Sequence, residues 1–448
     1  MNEHAKIFNT INKYGYEAYF VGGCVRDIYL NIQPKDWDIV TSASPTKLIH
    51  IFKDENLSIV GKQFLVTIIN NIEVATFRSE RYDKYSGKPF VTKAISLEDD
   101  LSRRDFTINA MAFDKDGKLI DYFDGLTDLK NKVIKFVGNP KDRIEDDPIR
   151  IIRAFRFCCL FGDDYYIEYN TKKALKKYSY LLTKYVPVER IKLELIKVLS
   201  YKKPSIFIKL LKEFDLLKYI LPSLHKCVNV DGGKYHKESV FEHNLYSGDF
   251  IPKTKPLLRL AGYLHDVGKP DAFNGENFRD HAKVGAILAE SDMTRLRFSS
   301  REIHYVSSMV KNHMRYITGM KKSTLRRLIA DLSADNVKWK DFLLLKISDR
   351  NANTLKSNFT PKGIKGLVFL FYNALKIEKV LSLKNLKIDG NDLIIYLGLK
   401  EGPQLGIILN KLFENVLDNP LLNHKFILLD IANKLTNTKE LTCKHSTS

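Results

Sequence analysis

The sequence predicts an α+β protein: a head built on a mixed sheet with helices, followed by all-α segments. Three observations predict it. From Glu17 to about Val137, short β-rich runs (EAYFVGG, WDIVTS, FLVTIIN, IEVATFR) alternate with amphipathic or capped segments. After Asp142 the strand signals fade, and DPIRIIRAFRFCCLF, VERIKLELIKVLSY and LLRLAGYLHDVG carry apolar residues every three or four positions, the period of a helix with one buried face. The third is length, because 448 residues exceed the roughly 250–300 that one hydrophobic core sustains.

Turn-rich stretches at Val228–Lys237 and near Lys356–Gly366 read as linkers. They divide the chain into a head (1–138), a helical neck (139–227), a His-rich helical domain (228–355) and a helical tail (356–448). No internal repeat recurs at a fixed period.

Hydrophobic residues at 44% and charged residues at 28% are ordinary globular values and exclude disordered, collagenous and low-complexity chains. Apolar runs such as GLVFLF and FILLDI fall far short of the roughly 18–20 residues of a membrane span. MNEHAKIFNTINKYG has no signal-peptide hydrophobic region, so the expectation is a cytoplasmic protein with no membrane partner. Five cysteines (Cys24, Cys158, Cys159, Cys227, Cys443) are too few and too irregular for a disulfide framework, and reduced thiols are expected. With 72 Lys and Arg against 53 Asp and Glu, the chain carries a formal charge of +19. That excess points to a polyanionic partner, nucleic acid first.

Within the head, YFVGGCVRDIYL sets Gly22 and Gly23 between an apolar strand and an amphipathic helix. Such glycines let the backbone approach a ligand, and a helix start offers N–H groups to phosphate oxygens, although the same pair also reads as a tight turn. In DWDIV, Asp36 and Asp38 are two apart on an expected strand, so both carboxylates point to one face and Trp37 to the other. Hard oxygen ligands at that spacing suit Mg²⁺, with substrate phosphates as further ligands. In SPTKLIHIF, Ser44 is a helix N-cap and Pro45 the first helical residue.

The order GGCVRD, KDWDIVTSASP, EDDLSRRDFTINAMAF, DYFDGLTDLKNKVIKFVG, DDPIRIIRAFRF resembles the class II tRNA nucleotidyltransferase and bacterial poly(A) polymerase family, from about Tyr19 to Glu194. The resemblance implies a polymerase-β-type nucleotidyltransferase head with Asp36 and Asp38 as its catalytic, metal-binding pair. It further implies a triphosphate site of Gly22, Gly23, Arg26 and Asp27, and contacts from Arg104, Asp105 and Asn109 to the incoming nucleotide. DGLTDL matches the family's hinge-like element, or is an ordinary turn. ERYDKYSGKPFVTKAI occupies the place of its flexible loop.

In DDPIR, Asp147 and Arg150 are three apart, and on a helix they share a face. Cytosine and adenine each show an amino donor beside a ring-nitrogen acceptor. Asp147 can accept from the first while Arg150 donates to the second, whereas guanine and uracil put a carbonyl against the carboxylate. The competing reading makes Asp147 the cap of a helix whose first residue is Pro148. Asp146 stands where the family usually has Glu, and Arg153, one turn on, can reach phosphate or RNA.

Histidine is scarce, with 11 in the chain, yet His243, His265–Asp266, His281 and His313 precede Asp349 in one helical region. Imidazole with carboxylate suits divalent metals. HDVGK resembles the HD superfamily of metal-dependent phosphohydrolases, which implies His243, His265, Asp266 and Asp349 as core ligands. His281 and His313 complete a second metal site or bind phosphate, and His236 is an outer candidate. In the tail, Gly398, Gly402 and Gly406 are expected to punctuate helices around Pro403.

Together these readings predict a Mg²⁺-dependent enzyme that adds C, C and A from CTP and ATP to tRNA 3′ ends without a template. A second divalent metal is expected in the HD domain, and no obligatory protein partner. The rivals are a poly(A) polymerase, a CC- or A-adding partial enzyme, and an HD phosphohydrolase with a non-catalytic RNA-binding head.

Overall fold

The computed structural model describes residues 2–60, 65–82, 85, 89–233, 237–317, 319–356, 358, 360–376 and 382–437. Two compact units emerge, Met1–Leu221 and Pro222–Ser448. No helix among the described residues is long and apolar enough to cross a membrane.

In chain order the strands of the first unit are β1 (Ala18–Val21), β2 (Asp38–Thr41), β3 (Leu57–Val60), β4 (Val66–Ile69), β5 (Ile72–Thr76), β6 (Arg78–Tyr82), β7 (Pro89–Lys93), β8 (Met111–Phe113), β9 (Leu119–Asp121), β10 (Val133–Ile134) and β11 (Tyr166–Ile167). A seven-stranded sheet runs β3-β4-β5-β2-β1-β8-β9. It is mixed, because β2 and β5 are parallel while its other neighbouring strands are antiparallel. Strand alternation feeds two cores. Val21, Val40 and Ala75 pack on one face, and Ala18, Ile39 and Val74 on the other. Val21 pairs with Asp38, and Ile39 with Val74, so one end of the central strands brings Gly22, Asp38 and Glu73 together.

The strand expected over DWDIV starts only at Asp38; Asp36 lies in a bend and Trp37 in irregular chain. Ring packing accompanies this. Trp37 stacks on His4 with centroids 3.9 Å apart and meets Phe20 edge-on at 5.0 Å, and ladder pairing ends at Val21–Asp38. Asp36 and Asp38 therefore do not share a face by strand alternation. Ser44 does cap the Pro45–Ile51 helix, accepting from the Lys47 N–H.

DGLTDL is a short helix, Gly125–Lys130, preceded by Asp124 in the left-handed region. The Asp121 carboxylate accepts from the Gly125 and Leu126 N–H groups, and Thr107 donates to Asp128 at 2.7 Å. A Cβ on Gly125 would collide with the Thr107 carbonyl and the Met111 side chain. Gly125→Ala is expected to cost about 1–3 kcal/mol or more through overpacking. Thermal denaturation checks it, and an unchanged Tm would mean that this helix shifts freely away from Thr107.

In the neck, the helix expected from Asp147 starts at Arg150, and Asp147 is extended (φ −150°, ψ 101°) as it leaves the Pro140–Asp146 helix. Its Oδ1 accepts the Ile149 N–H at 3.3 Å, a local turn contact rather than a cap on the first helical turn. Other helices here include Tyr169–Tyr178, Tyr180–Tyr185 and Val188–Leu199.

The described second unit is helical. Pro222–Lys226 belongs to it, because the Ser223 hydroxyl donates to the buried Asp292 at 2.6 Å. The stretch read as a linker thus lies inside this unit, and Gly232 and Gly233 border its cleft. Val240–Phe250 opens on a capping box of Ser239 and Glu242. Pro256–Leu264 and Trp339–Ala352 pack against it, Ser300–Asn312 packs on Pro256–Leu264, and His281–Arg295 packs on Ser300–Asn312. In the tail, Leu393, Ile408, Leu412, Val416 and Leu428 form a separate core. Arg326 donates to the Leu417 and Asp418 carbonyls, closing the C-terminus of the Pro403–Asp418 helix. Gly398 ends a helix in the left-handed region and Gly402 precedes Pro403, but Gly406 lies inside the helix and punctuates nothing.

Candidate active site and metal centre

A cleft of about 600 Å³ in the first unit is lined by Gly22, Gly23, Arg26, Asp38, Arg104, Asp105, Asn109, Asp147, Arg150 and Arg153. Among the described residues, Asp27 and Asp36 are not in its lining. Eight of the lining residues are arginines and a ninth cation is Lys197, against carboxylates at Asp38, Glu73, Asp105, Asp147 and Glu194. This excess of cations suits a polyphosphate.

Gly22 has φ +75°, and a Cβ there would come within 2.6 Å of the Arg104 guanidinium. Only glycine lets strand β1 turn into the Gly23–Tyr29 helix so close to that arginine. Arg26 is held on one side by Asp27 (2.7 Å) and donates on the other to Asn109 Oδ1, so Asp27 orients Arg26 from behind. Asn109 in turn donates to Asp105 Oδ1 at 3.0 Å, and Arg153 grips Asp105 Oδ2 through two N–H groups. Burial alone would raise the Asp105 carboxyl, but Arg153 and Asn109 outweigh it and hold it well below the carboxylate range. Arg153, read from the sequence as free to reach phosphate or RNA, is therefore engaged by Asp105.

The carboxyls of Asp38 and Glu73 behave in the opposite way. Crowding by the cleft walls raises both; Asp36 adds to the effect on Asp38, and Asp38 adds to that on Glu73, against the nearby arginines. Clustered hard oxygens that disfavour their own charge fit a divalent cation. Glu73 was missed by the sequence reading. Its only local signal is its position in a strand beside one that starts with a carboxylate.

Each of the two expected base-reading residues is held by a different partner. Both Asp147 oxygens accept from Arg190, at 3.0 and 2.6 Å. Arg150 donates to the Arg143 and Arg103 carbonyls and reaches Asp146 at 3.4 Å, so the short Asp146 side chain still touches it. Deeper in the cleft, Arg156 pairs with Glu194.

In the second unit the imidazoles converge. Nδ1 of His265, His281 and His313 lies against the carbonyls of Gly262, Phe278 and Val310, and Nδ1 of His243 against Glu238. These acceptors fix the proton on Nδ1 and aim each Nε2 inward. His243 Nε2 is 3.1 Å from Asp349 and His265 Nε2 is 3.4 Å from Asp266 Oδ2, while His281 and His313 face Asp266 Oδ1 at 3.2 and 3.3 Å. His265 Nε2 is buried without a hydrogen-bond partner, as a metal ligand's lone pair would be. Burial would raise Asp266 and Asp349, but their histidine neighbours, joined at Asp266 by Lys269, hold both well below the carboxylate range. Two ligand triads result, His243–His265–Asp349 and His265–Asp266–His313, and they fit divalent metal. His236 lies outside the described residues. Lys269, the last residue of HDVGK, pairs with Asp266 three residues before it, whereas Glu238, which pairs with His243, was not singled out from sequence.

The Poly A polymerase head domain model matches residues 18–135, and the model described as probable RNA and SrmB-binding site of polymerase A matches 164–228. The HD domain model matches 240–338 and the tRNA nucleotidyltransferase domain 2 model 361–432. A CCA-adding enzyme of Ligilactobacillus salivarius is 31% identical over 438 residues, 97% of this chain and 96% of that one. The chain belongs to the CCA-adding enzyme family. The CCA-adding enzyme of Enterococcus faecalis is also 31% identical, over 96% of this chain and 95% of its own. The crystal structure of the Bacillus stearothermophilus CCA-adding enzyme in complex with CTP shares the fold, with a TM-score of 0.73, 24% identity and 98% coverage of both chains.

Proposed function

We propose that the chain restores CCA at tRNA 3′ ends, using CTP and ATP without a nucleic-acid template, in the cytoplasm. One observation carries this reading: a single cleft holds Asp38 and Glu73, a row of arginines, and the Asp147 and Arg150 side chains. Residues 1–138 are the nucleotidyltransferase head, 139–221 the neck, 222–355 the HD domain with its leading Pro222–Lys226 helix, and 356–448 the tail. Gly22, Gly23, Arg26 and Arg104 bind the triphosphate, with Asp27 bracing Arg26. Asp105 and Asn109 orient the ribose and lock Arg153. Asp147 accepts from the amino group of cytosine or adenine while Arg150 donates to the ring nitrogen. Asp36, Asp38 and Glu73 would hold Mg²⁺, which lowers the pKa of the attacking 3′-hydroxyl and neutralises the leaving pyrophosphate.

Incubation with tRNA lacking its last three nucleotides, with each labelled nucleotide alone and combined, tests the reading. CCA requires both CTP and ATP. Runs of A on any RNA would replace it with a poly(A) polymerase, and addition of C alone or A alone with a partial enzyme. No incorporation beside phosphohydrolysis would leave only the HD reading.

The tRNA backbone is expected to lie against the lysine-rich Tyr169–Tyr185 region, where Tyr169, Tyr180 and Tyr185 are exposed. Binding is expected to weaken steeply with salt, with log K against log salt steeper than about −2. Filter binding from low to high salt measures it, and a flat line would contradict the polyanion reading.

A second activity is favoured by the converging Nε2 atoms. His243, His265, Asp266 and Asp349 would hold one divalent metal, and His281 and His313 a second, with Asp266 placing one oxygen toward each set. A divalent metal held there would supply an activated water for hydrolysis of 2′,3′-cyclic or 2′-phosphate esters.

A further inference from the structure

The partner of Asp147 lies 43 residues away in sequence. Arg190 sits in the first turn of the Val188–Leu199 helix, where the helix dipole disfavours a cation. Its side chain is 38% exposed, and an ion pair that open contributes only about 0–1 kcal/mol to stability. Its geometry is nonetheless bidentate: one N–H reaches each oxygen of Asp147. The Ile149 N–H takes a further site on Oδ1. A carboxylate offers about four acceptor sites, so three are used and the remaining one is on Oδ2.

We propose that Arg190 is a positioning residue for nucleotide choice, fixing the Asp147 carboxylate so that a single acceptor site meets the base. A freely turning carboxylate could move aside from a carbonyl of uracil or guanine. A clamped one cannot. This separates Asp147 from Asp105 and Glu194, whose arginine partners lie on the Arg150–Phe161 helix that also carries Arg150. Arg190 comes from a different helix, so the acceptor and donor of the reading pair are set by separate elements and can be perturbed separately. The inference rests on the base-reading role proposed for Asp147.

The experiment compares Arg190→Ala, Arg190→Lys, Asp147→Ala and the Asp147→Ala/Arg190→Ala double variant, measuring kcat/KM for CTP, ATP, UTP and GTP on tRNA lacking its last three nucleotides, beside Tm. Arg190→Ala is expected to reduce the preference for CTP and ATP over UTP and GTP by roughly tenfold or more, with Tm nearly unchanged. Arg190→Lys keeps the charge without the fork and should fall between. In the Asp147→Ala background, Arg190→Ala should add no further loss. Unchanged preference in Arg190→Ala, with preference lost in Asp147→Ala, would overturn the positioning role and leave base reading intact. Full additivity in the double variant would also overturn it. Preference retained in Asp147→Ala would defeat the base-reading role, and this inference with it. If Arg190→Ala fails to fold, Arg190→Lys decides, and wild-type preference there overturns the bidentate clamp.

Discussion

Asp38→Ala is expected to lower nucleotide incorporation by about 10³-fold or more while tRNA affinity stays within a few fold. The reason is the separation of duties in the first unit. Asp38 opens strand β2 at the cleft beside Glu73, whereas the exposed tyrosines and lysines of 169–185 lie outside the cleft lining. Losing Asp38 removes a hard oxygen ligand from a cluster whose carboxyls are raised by crowding and mutual repulsion. Glu73→Gln keeps the shape and removes one charge, so a smaller loss is expected, on the order of tenfold to a hundredfold. Asp36→Ala should also lose activity, but Asp36 lies in a bend before the strand, and its effect measures how far that bend contributes to the site. Single-turnover incorporation with saturating tRNA checks the series. Near-wild-type rates in Asp38→Ala would remove the residue from the catalytic role.

Asp266→Ala is expected to abolish divalent-metal binding in the second unit, with incorporation of C and A preserved. Asp266 faces His265 with one oxygen and His281 and His313 with the other, so its removal reaches both ligand sets. His281→Ala touches only one set and should spare part of the binding. Metal content after dialysis, read by elemental analysis, gives the stoichiometry, and loss of Glu238, which orients His243 through its Nδ1, should weaken affinity by about 10–100-fold. Wild-type metal content in Asp266→Ala would sink the bridging arrangement. Loss of CCA addition in a folded Asp266→Ala protein would show that the two activities are not separable.

The metal triads illustrate what sequence spacing does and does not carry. His265 and Asp266 are adjacent and announce themselves, with Lys269 in the same HDVGK run, but Asp349 joins them from another helix, and Glu238 braces His243 with no motif of its own. In the head, the GG turn was legible because φ +75° at Gly22 demands glycine, whatever the rest of the fold. The face shared by Asp36 and Asp38 was misread, because alternation holds only where the ladder continues, and stacking of Trp37 on His4 accompanies its end.

The α+β order, the two sets of chemical groups and the family could all be read along the chain, since they depend on local periodicity, residue chemistry and ordered motifs. The tertiary structure alone decided the pairings. Arg190 clamps Asp147, Arg153 is taken by Asp105, and Glu73 joins Asp38 across the β2–β5 pair. The physical reason is that a charged side chain in a partly buried cleft is fixed by the counter-charge packed against it, and that neighbour is set by how helices and strands pack, not by distance along the chain.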